Sequence, residues 1–319
     1  MKESKVSVVI PVFNEEKQIG KSIEVISEVL VSYSINFEII LVDDGSRDNT
    51  WKVIKELCVS SSHIKAIRFS RNFGKESALC AGLEAVTGSA CIVMDADLQH
   101  PPEIIPQMVH LWEKEGFDVV EGIKSSRGKE SLINKIGALS FYGILKKLSG
   151  FDLDSASDFK LMDAKVIDAW KEMKERNTFF RGMSAWVGFN RTSISFNVAE
   201  RITGKSKWSL VHLFRLAVTA ITSFSSMPLQ LVTLLGIAFL FGSFLLGLQT
   251  LYMKFKGIAV SGFTTVILLQ LIIGSALMIS LGIIGTYIAR IFDEVKNRPR
   301  YLVSERIDND KDQINMNEI

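Results

Sequence analysis

Cysteine, histidine and net charge are all scarce in this chain of 319 residues, and each shortage excludes something. The three cysteines, Cys58, Cys80 and Cys91, are odd in number and lack Cys-x-x-Cys spacing. They read as small buried hydrophobes in a reducing compartment, not as a disulfide framework or a zinc site. The four histidines, His63, His100, His110 and His212, form no ligand pattern, and none is assigned to a metal. A formal net charge of +2 gives no basic excess for a nucleic-acid partner, and none is expected. No internal repeat or low-complexity stretch occurs. The start, Met1-Lys-Glu-Ser-Lys-Val6, has no signal-peptide pattern and leads directly into an apolar run, so the large domain is expected in the cytoplasm.

Charge is also missing locally. Up to Arg215 charged residues recur every few positions, but residues 216–253 and 257–289 contain none. Only Lys254 and Lys256 separate the two runs. Each exceeds the roughly 20 apolar residues that cross a bilayer. Spans are expected at 229–253 and 263–289, joined by a short hairpin. Arg201, Lys205, Lys207 and Arg215 precede them, and Arg290, Lys296, Arg298 and Arg300 follow. These outnumber the hairpin lysines, which predicts that both termini face the cytoplasm. The stretch 208–221 opens with Trp208 between basic flanks and a span, and reads as an interfacial helix. A second amphipathic stretch, 132–148, fits the membrane surface or the face of a sheet. The expected organisation is a cytoplasmic catalytic domain at 1–205, an interfacial helix at 206–228, two transmembrane helices at 229–290, and a cytoplasmic tail at 291–319. Past Glu305 the tail is rich in Asp, Asn and Lys and reads as disordered.

The large domain alternates strand and helix patterns. Strands are expected at 6–12, 37–42, 64–70 and 90–94, with helices at 15–33, 48–58 and 74–86. That alternation implies an α/β fold with a mostly parallel, doubly wound sheet, whose ligands sit beyond the carboxyl ends of the strands. Three of the strands end in acids: Glu15 and Glu16 after the first, Asp43 and Asp44 after the second, Asp95-Ala-Asp97 after the fourth. Helix capping accounts for Asp48, but not for Glu15, Asp43, Asp44, Asp95 and Asp97 together. Carboxylates on alternate residues at a strand end can hold a hard divalent cation that shares its other sites with phosphate oxygens.

With these features placed, the sequence resembles family-2 glycosyltransferases of the GT-A fold, and within them the polyprenyl-phosphate glycosyltransferases. It looks like bactoprenol glucosyltransferases and, more distantly, dolichol-phosphate mannose synthases. The carriers are Val9-Ile-Pro-Val-Phe-Asn-Glu15, Val42-Asp-Asp-Gly-Ser46, Arg71-Asn-Phe-Gly-Lys75, Asp95-Ala-Asp-Leu-Gln99, Ser157-Asp-Phe-Lys-Leu-Met162, residues 200–207 and Arg298-Pro-Arg-Tyr301. Where related sequences often have Gly-Asp-Phe-Arg, this chain has Ser157-Asp-Phe-Lys160, a point charge in place of a forked cation. The resemblance implies a multi-pass protein of the cell membrane. Such an enzyme moves a sugar, expected to be glucose, from a UDP-linked donor to undecaprenyl phosphate with inversion. The glycolipid would then serve cell-envelope glycosylation.

Asp95 and Asp97 are the expected ligands of Mg2+ or Mn2+, which would bridge the donor diphosphate, with Gln99 beside them. Pro11, Val12, Glu15, Asp43 and Asp44 are expected around the nucleoside, since ribose hydroxyls and a uracil N–H need acceptors. Lys75 is expected at the diphosphate. The acceptor phosphate brings a second anion, which calls for forked guanidinium groups. Candidates are Arg127, Arg181 and Arg201, supported by Lys205 and Lys207. Asp97 and Asp158 are the expected catalytic carboxylates, with Asp158 either taking a residual proton or orienting the incoming phosphate. Homo-oligomerisation is also allowed for. Alternatives are transfer of mannose or N-acetylglucosamine, or a non-catalytic nucleotide-binding membrane sensor. A processive polysaccharide synthase is excluded by the missing Gln-x-x-Arg-Trp segment. A transporter is excluded by two spans without an ionisable residue.

Overall fold

The computed structural model describes residues 4–124, 157–173, 175, 180–196, 227–257 and 262–308. The expected helices at 132–148 and 208–221, and Arg127, Arg201, Lys205 and Lys207, lie outside the described residues. The chain divides into one unit of residues 1–209 with 299–319 and a second unit of residues 210–298.

The first unit is built on β1 (Lys5–Val12), β2 (Asn36–Asp43), β3 (Ile64–Phe69) and β4 (Ala90–Val93), paired in parallel as β4-β1-β2-β3. All four are buried almost throughout, the pattern of a parallel sheet covered on both faces. Helices α1 (Ile19–Ser32), α2 (Thr50–Ser60), α3 (Lys75–Glu84) and α4 (Ile105–Glu113) supply the cover. Val6, Val8, Ile10 and Val12 of β1 share one core with Ile19, Ile23 and Ile26 of α1, Ile54 of α2 and Met108 of α4. On the other face α3 comes so close that a Cβ on Gly82 would stand 2.3 Å from Val9 Cγ1. Cys58, Cys80 and Cys91 are buried and free, as their spacing implied.

Beyond β4 the sheet continues through β6 (Lys160–Asp163), β5 (Val119–Lys124) and β7 (Arg191–Phe196). Strand β6 runs antiparallel to β4, with Val93 opposite Lys160. That register carries Asp158 to the edge where Asp95 leaves β4. Two short helices, α5 (Ala164–Glu172) and α6 (Phe180–Trp186), follow β6.

Two boundaries differ from expectation for local reasons. Helix α1 starts at Ile19 instead of residue 15, because Asn14 sits at φ 55° and residues 15–18 form a turn closed on the Glu15 carbonyl. Asp48 lies one residue before the N-cap of α2, yet its Oδ1 accepts from Thr50 N at 3.1 Å and Thr50 Oγ1 at 2.6 Å.

The second unit holds α7 (Met227–Phe255) and α8 (Phe263–Val295), each containing an 18-residue stretch of mean hydropathy 2.4 and each long and apolar enough to cross a membrane. The expected spans lie inside them, and α8 continues past Ala289 through Arg290, Asp293 and Glu294. The chain then returns to the first sheet as β8 (Val303–Ile307), antiparallel to β3. Arg306 and Ile307, expected in a disordered tail, therefore belong to a strand. Trp51 Nε1 donates to Glu305 Oε2 at 2.8 Å, and Tyr301 stacks on Phe69 with centroids 4.7 Å apart. The polar composition conceals this strand because its partner, the open edge of β3, is far away in sequence.

Candidate active site

At the carboxyl ends of β1, β2 and β4 lies a cleft of about 470 Å3, lined by Pro11, Val12, Phe13, Glu15, Asp44, Asn72, Gly74, Lys75, Ala78, Asp95, Ala96 and Asp97. Seven of the residues expected at the site are thus brought together: Pro11, Val12, Glu15, Asp44, Lys75, Asp95 and Asp97. Asp43 and Gln99 do not line the cleft. Asp43 is fully buried; its Oδ1 accepts from Ser46 N at 2.9 Å and its Oδ2 lies 3.4 Å from Arg68 Nε. Gln99 donates its main-chain N–H to Asp97 Oδ1 at 3.1 Å. Its buried Nε2 has no hydrogen-bond partner among the described residues.

Asp44 is bound by the loop that opens α3: it accepts from Phe73 N at 2.7 Å and Gly74 N at 2.9 Å. Burial raises its pKa despite those two bonds. The turn after it requires glycine. Gly45 has φ 68°, and a Cβ there would stand 2.4 Å from the Arg71 carbonyl carbon. The acidic turn and the Arg71–Lys75 loop are therefore packed backbone to backbone.

Lys75 bridges two carboxylates, with Nζ 2.6 Å from Asp95 Oδ1 and 2.9 Å from Asp158 Oδ2. Arg181, from the first turn of α6, forks Asp158: Nε to Oδ1 at 2.7 Å and a terminal nitrogen to Oδ2 at 3.0 Å. Burial alone would raise the pKa of Asp158. The Arg181 hydrogen bonds and the Lys75 charge outweigh it and hold the carboxyl well below the usual range. For Lys75, burial favours the neutral amine, but Asp95 and Asp158 push its pKa above the ordinary value.

Three further residues, none of them assigned a site role from the sequence, lie around this cluster. Glu76, beside Lys75 on α3, accepts from Phe180 N at 2.7 Å, and burial lifts its pKa to about 7. His100 stacks on Phe159 at 4.9 Å, and its Nδ1 lies 3.3 Å from Asp95 N. Lys160 is fully buried and donates to Ser184 Oγ at 2.7 Å and Glu121 Oε1 at 3.1 Å. The departure at position 160 thus sits in the core beneath α6, not on the cleft wall. Glu76 offers one hint, as an acid in the first turn of α3, but that placement is ordinary for a helix.

Asp95 and Asp97 offer hard oxygen donors on the cleft wall, and among the described residues no third His, Cys, Asp or Glu joins them. Two carboxylates fit Mg2+ or Mn2+ that takes its other ligands from water and phosphate.

The family model for glycosyl transferase family 2 matches residues 7–166, from β1 into α5, and includes Asp95, Asp97 and Asp158. This chain belongs to that family. It is a glycosyltransferase. It is 37% identical over 305 residues to the prophage bactoprenol glucosyl transferase homolog of Escherichia coli (strain K12), covering 94% of this chain and 98% of that one. Against the bactoprenol glucosyl transferase of Shigella phage SfII the identity is 37% over 307 residues, with 94% and 98% covered. Among solved structures, it is similar to glucosyl-3-phosphoglycerate synthase from Mycobacterium tuberculosis in complex with Mn2+, UDP-glucose and phosphoglyceric acid. That match has 21% identity and a TM-score of 0.47, covering 69% of this chain and 78% of the other.

Proposed function

We propose that this glycosyltransferase moves glucose from UDP-glucose to a polyprenyl phosphate, undecaprenyl phosphate in a bacterial membrane, with inversion at the anomeric carbon. The observation that carries this reading is the clamping of Asp158 by Arg181 and Lys75. A sugar hydroxyl acceptor needs a general base with a pKa near the working pH. Asp158, held far below that, is a poor base. A phosphate acceptor is already ionised and needs none; it needs cations that offset a second negative charge. The names of the bactoprenol relatives and the two long apolar helices support a lipid acceptor.

In this reading Pro11, Val12, Glu15 and Asp44 hold the nucleoside, with Asp43 fixing the turn behind them. Asp95 and Asp97 hold Mg2+ or Mn2+, with Gln99 beside them; the bound ion offsets charge on the departing diphosphate. Lys75 contributes at the same point. Asp97 and Asp158 flank the reacting carbon, Asp158 orienting the incoming phosphate oxygen. That oxygen forms the new bond to the anomeric carbon as the bond to UDP breaks. Arg181 serves the acceptor side through Asp158, and Arg127, Arg201, Lys205 and Lys207 are the proposed direct contacts of the acceptor phosphate. Strands from before and after the helical pair share one sheet, which supports both ends of the chain lying on one side of the membrane. The balance of basic residues makes that side the cytoplasm.

The test is to offer the purified full chain UDP-glucose, UDP-N-acetylglucosamine and GDP-mannose with undecaprenyl phosphate, and to detect glycolipid by mass spectrometry. Glycolipid from UDP-glucose is expected. Product from GDP-mannose alone would make this a mannose transferase, and donor binding without product from any donor would favour a sensor.

A further inference from the structure

We propose that Glu76 and Lys160 are positioning residues that together seat the helix carrying Arg181, and so set its fork on Asp158. Helix α6 has seven residues, Phe180–Trp186. A segment far shorter than about 12 residues has little helical stability of its own and must be held by its surroundings. Glu76 and Lys160 engage the Phe180 N–H and the Ser184 hydroxyl, and Arg191 of β7 adds a bond from a terminal nitrogen to the Ser184 carbonyl at 3.1 Å. At its start, Phe180 N donates to Glu76 Oε2 at 2.7 Å. One turn on, Ser184 Oγ accepts from Lys160 Nζ at 2.7 Å and donates to the Arg181 carbonyl at 3.1 Å. The Lys160 ammonium also lies 5.1 Å from the centre of the Phe180 ring, and Phe180, Met183 and Ser184 are buried.

Arg181 stands between these two attachments. Its forked contact with Asp158 needs both N–H···O lines to be met at once, so a small shift of the helix loses it. Misplacement of a site group by about 1 Å can cost on the order of a hundredfold in rate. The neighbouring Lys75 contacts Asp158 directly. The first turn of α3 therefore supplies one cation to Asp158 and places the other. Helix capping alone does not account for Glu76, because its partner lies on a different element 104 residues away.

This inference rests on the reading of Asp158 and Arg181 as parts of the reacting site. The test compares Glu76→Ala, Glu76→Gln and Ser184→Ala in the full chain in detergent. It measures kcat, KM for donor and acceptor, UDP affinity by calorimetry, thermal unfolding, and deuterium uptake by the peptide spanning 180–186. Glu76→Ala is expected to lower kcat about tenfold or more while UDP affinity stays near wild type, and to speed exchange in 180–186. Glu76→Gln should restore both, since its amide oxygen still accepts from Phe180 N–H. Ser184→Ala should give a smaller loss of the same kind. Wild-type kcat in Glu76→Ala, a Glu76→Gln as slow as Glu76→Ala, or a kcat loss matched by lost UDP affinity and unfolding would overturn the proposal for Glu76. Wild-type kcat and exchange in Ser184→Ala would overturn it for Lys160. UDP affinity and deuterium uptake need no acceptor. If the wild type makes no glycolipid from any donor, the proposed reaction fails while the exchange data still decide the seating of α6.

Discussion

Lys75 Nζ stands 2.6 Å from Asp95 Oδ1, so one of the two carboxylates proposed to hold a cation already carries a fixed positive partner. The pair forms because α3 begins at Lys75 while Asp95 leaves β4 next to β1, over which α3 packs. A single charge on Asp95 is therefore partly compensated before any ion arrives. Asp97, whose Oδ1 accepts the Gln99 main-chain N–H at 3.1 Å, supplies the second carboxylate.

From that arrangement, Asp95→Asn and Asp97→Asn should each cut transfer by about a hundredfold or more, the scale for removing one preorganised charge-stabilising group. Both should fold, since neither side chain is in the core. Excess chelator should silence the wild type, and Mn2+ or Mg2+ should restore it. Full turnover in either variant, or in chelator, would remove the ion from the mechanism.

The fork between Arg181 and Asp158 yields a second expectation. Arg181→Lys keeps the charge but cannot make two parallel hydrogen bonds, so transfer should fall by about tenfold to a hundredfold. Donor affinity measured by calorimetry should stay near wild type. Collapse of donor affinity with unchanged acceptor dependence would assign Arg181 to the diphosphate instead.

The membrane reading is checked by labelling. Tags at residue 2 and after residue 319 should react only from the cytoplasmic side, and a cysteine in place of Lys256 only from the opposite side. Termini that label from opposite sides would mean that α7 and α8 do not make two crossings.

Glu38 gives the pH prediction. It is almost fully buried on β2; burial pushes its pKa up, but Lys5 at 2.8 Å, Ser7 and Thr87 outweigh that and bring it from 4.5 to about 2. A depressed carboxyl pKa stabilises the fold above the unfolded value, and the contribution is lost as pH falls through the folded value. It should amount to about 3 kcal/mol near neutrality and fade between pH 4.5 and about 2. Glu38→Gln should therefore lower stability most at pH 7, with the deficit shrinking over that acid range in denaturant unfolding curves. A deficit that stays constant with pH would mean that packing, not charge, is lost.

Much of this protein was legible in its residues. The runs without charge marked α7 and α8, because a bilayer-length helix can be recognised from local composition alone. Alternating apolar strands and helical periods marked the parallel sheet, and the acids closing β1, β2 and β4 pointed to its carboxyl edge, because strand direction determines where those ends meet. What depended on pairing between distant segments was hidden. Asp158 meets Asp95 only through the antiparallel register of β6 against β4, and β8 exists only because the edge of β3 can accept it. Asp43, read as a ligand, faces Arg68 behind the cleft; whether a carboxylate at a strand end turns toward ligand or core depends on the neighbouring strand. The residues by themselves determined the class of fold, the two long apolar helices and the acidic edge. The tertiary structure alone decided which cations meet which carboxylates, because Lys75, Glu76, Asp158, Lys160 and Arg181 act on one another across 106 residues of chain, a contact that no local pattern encodes.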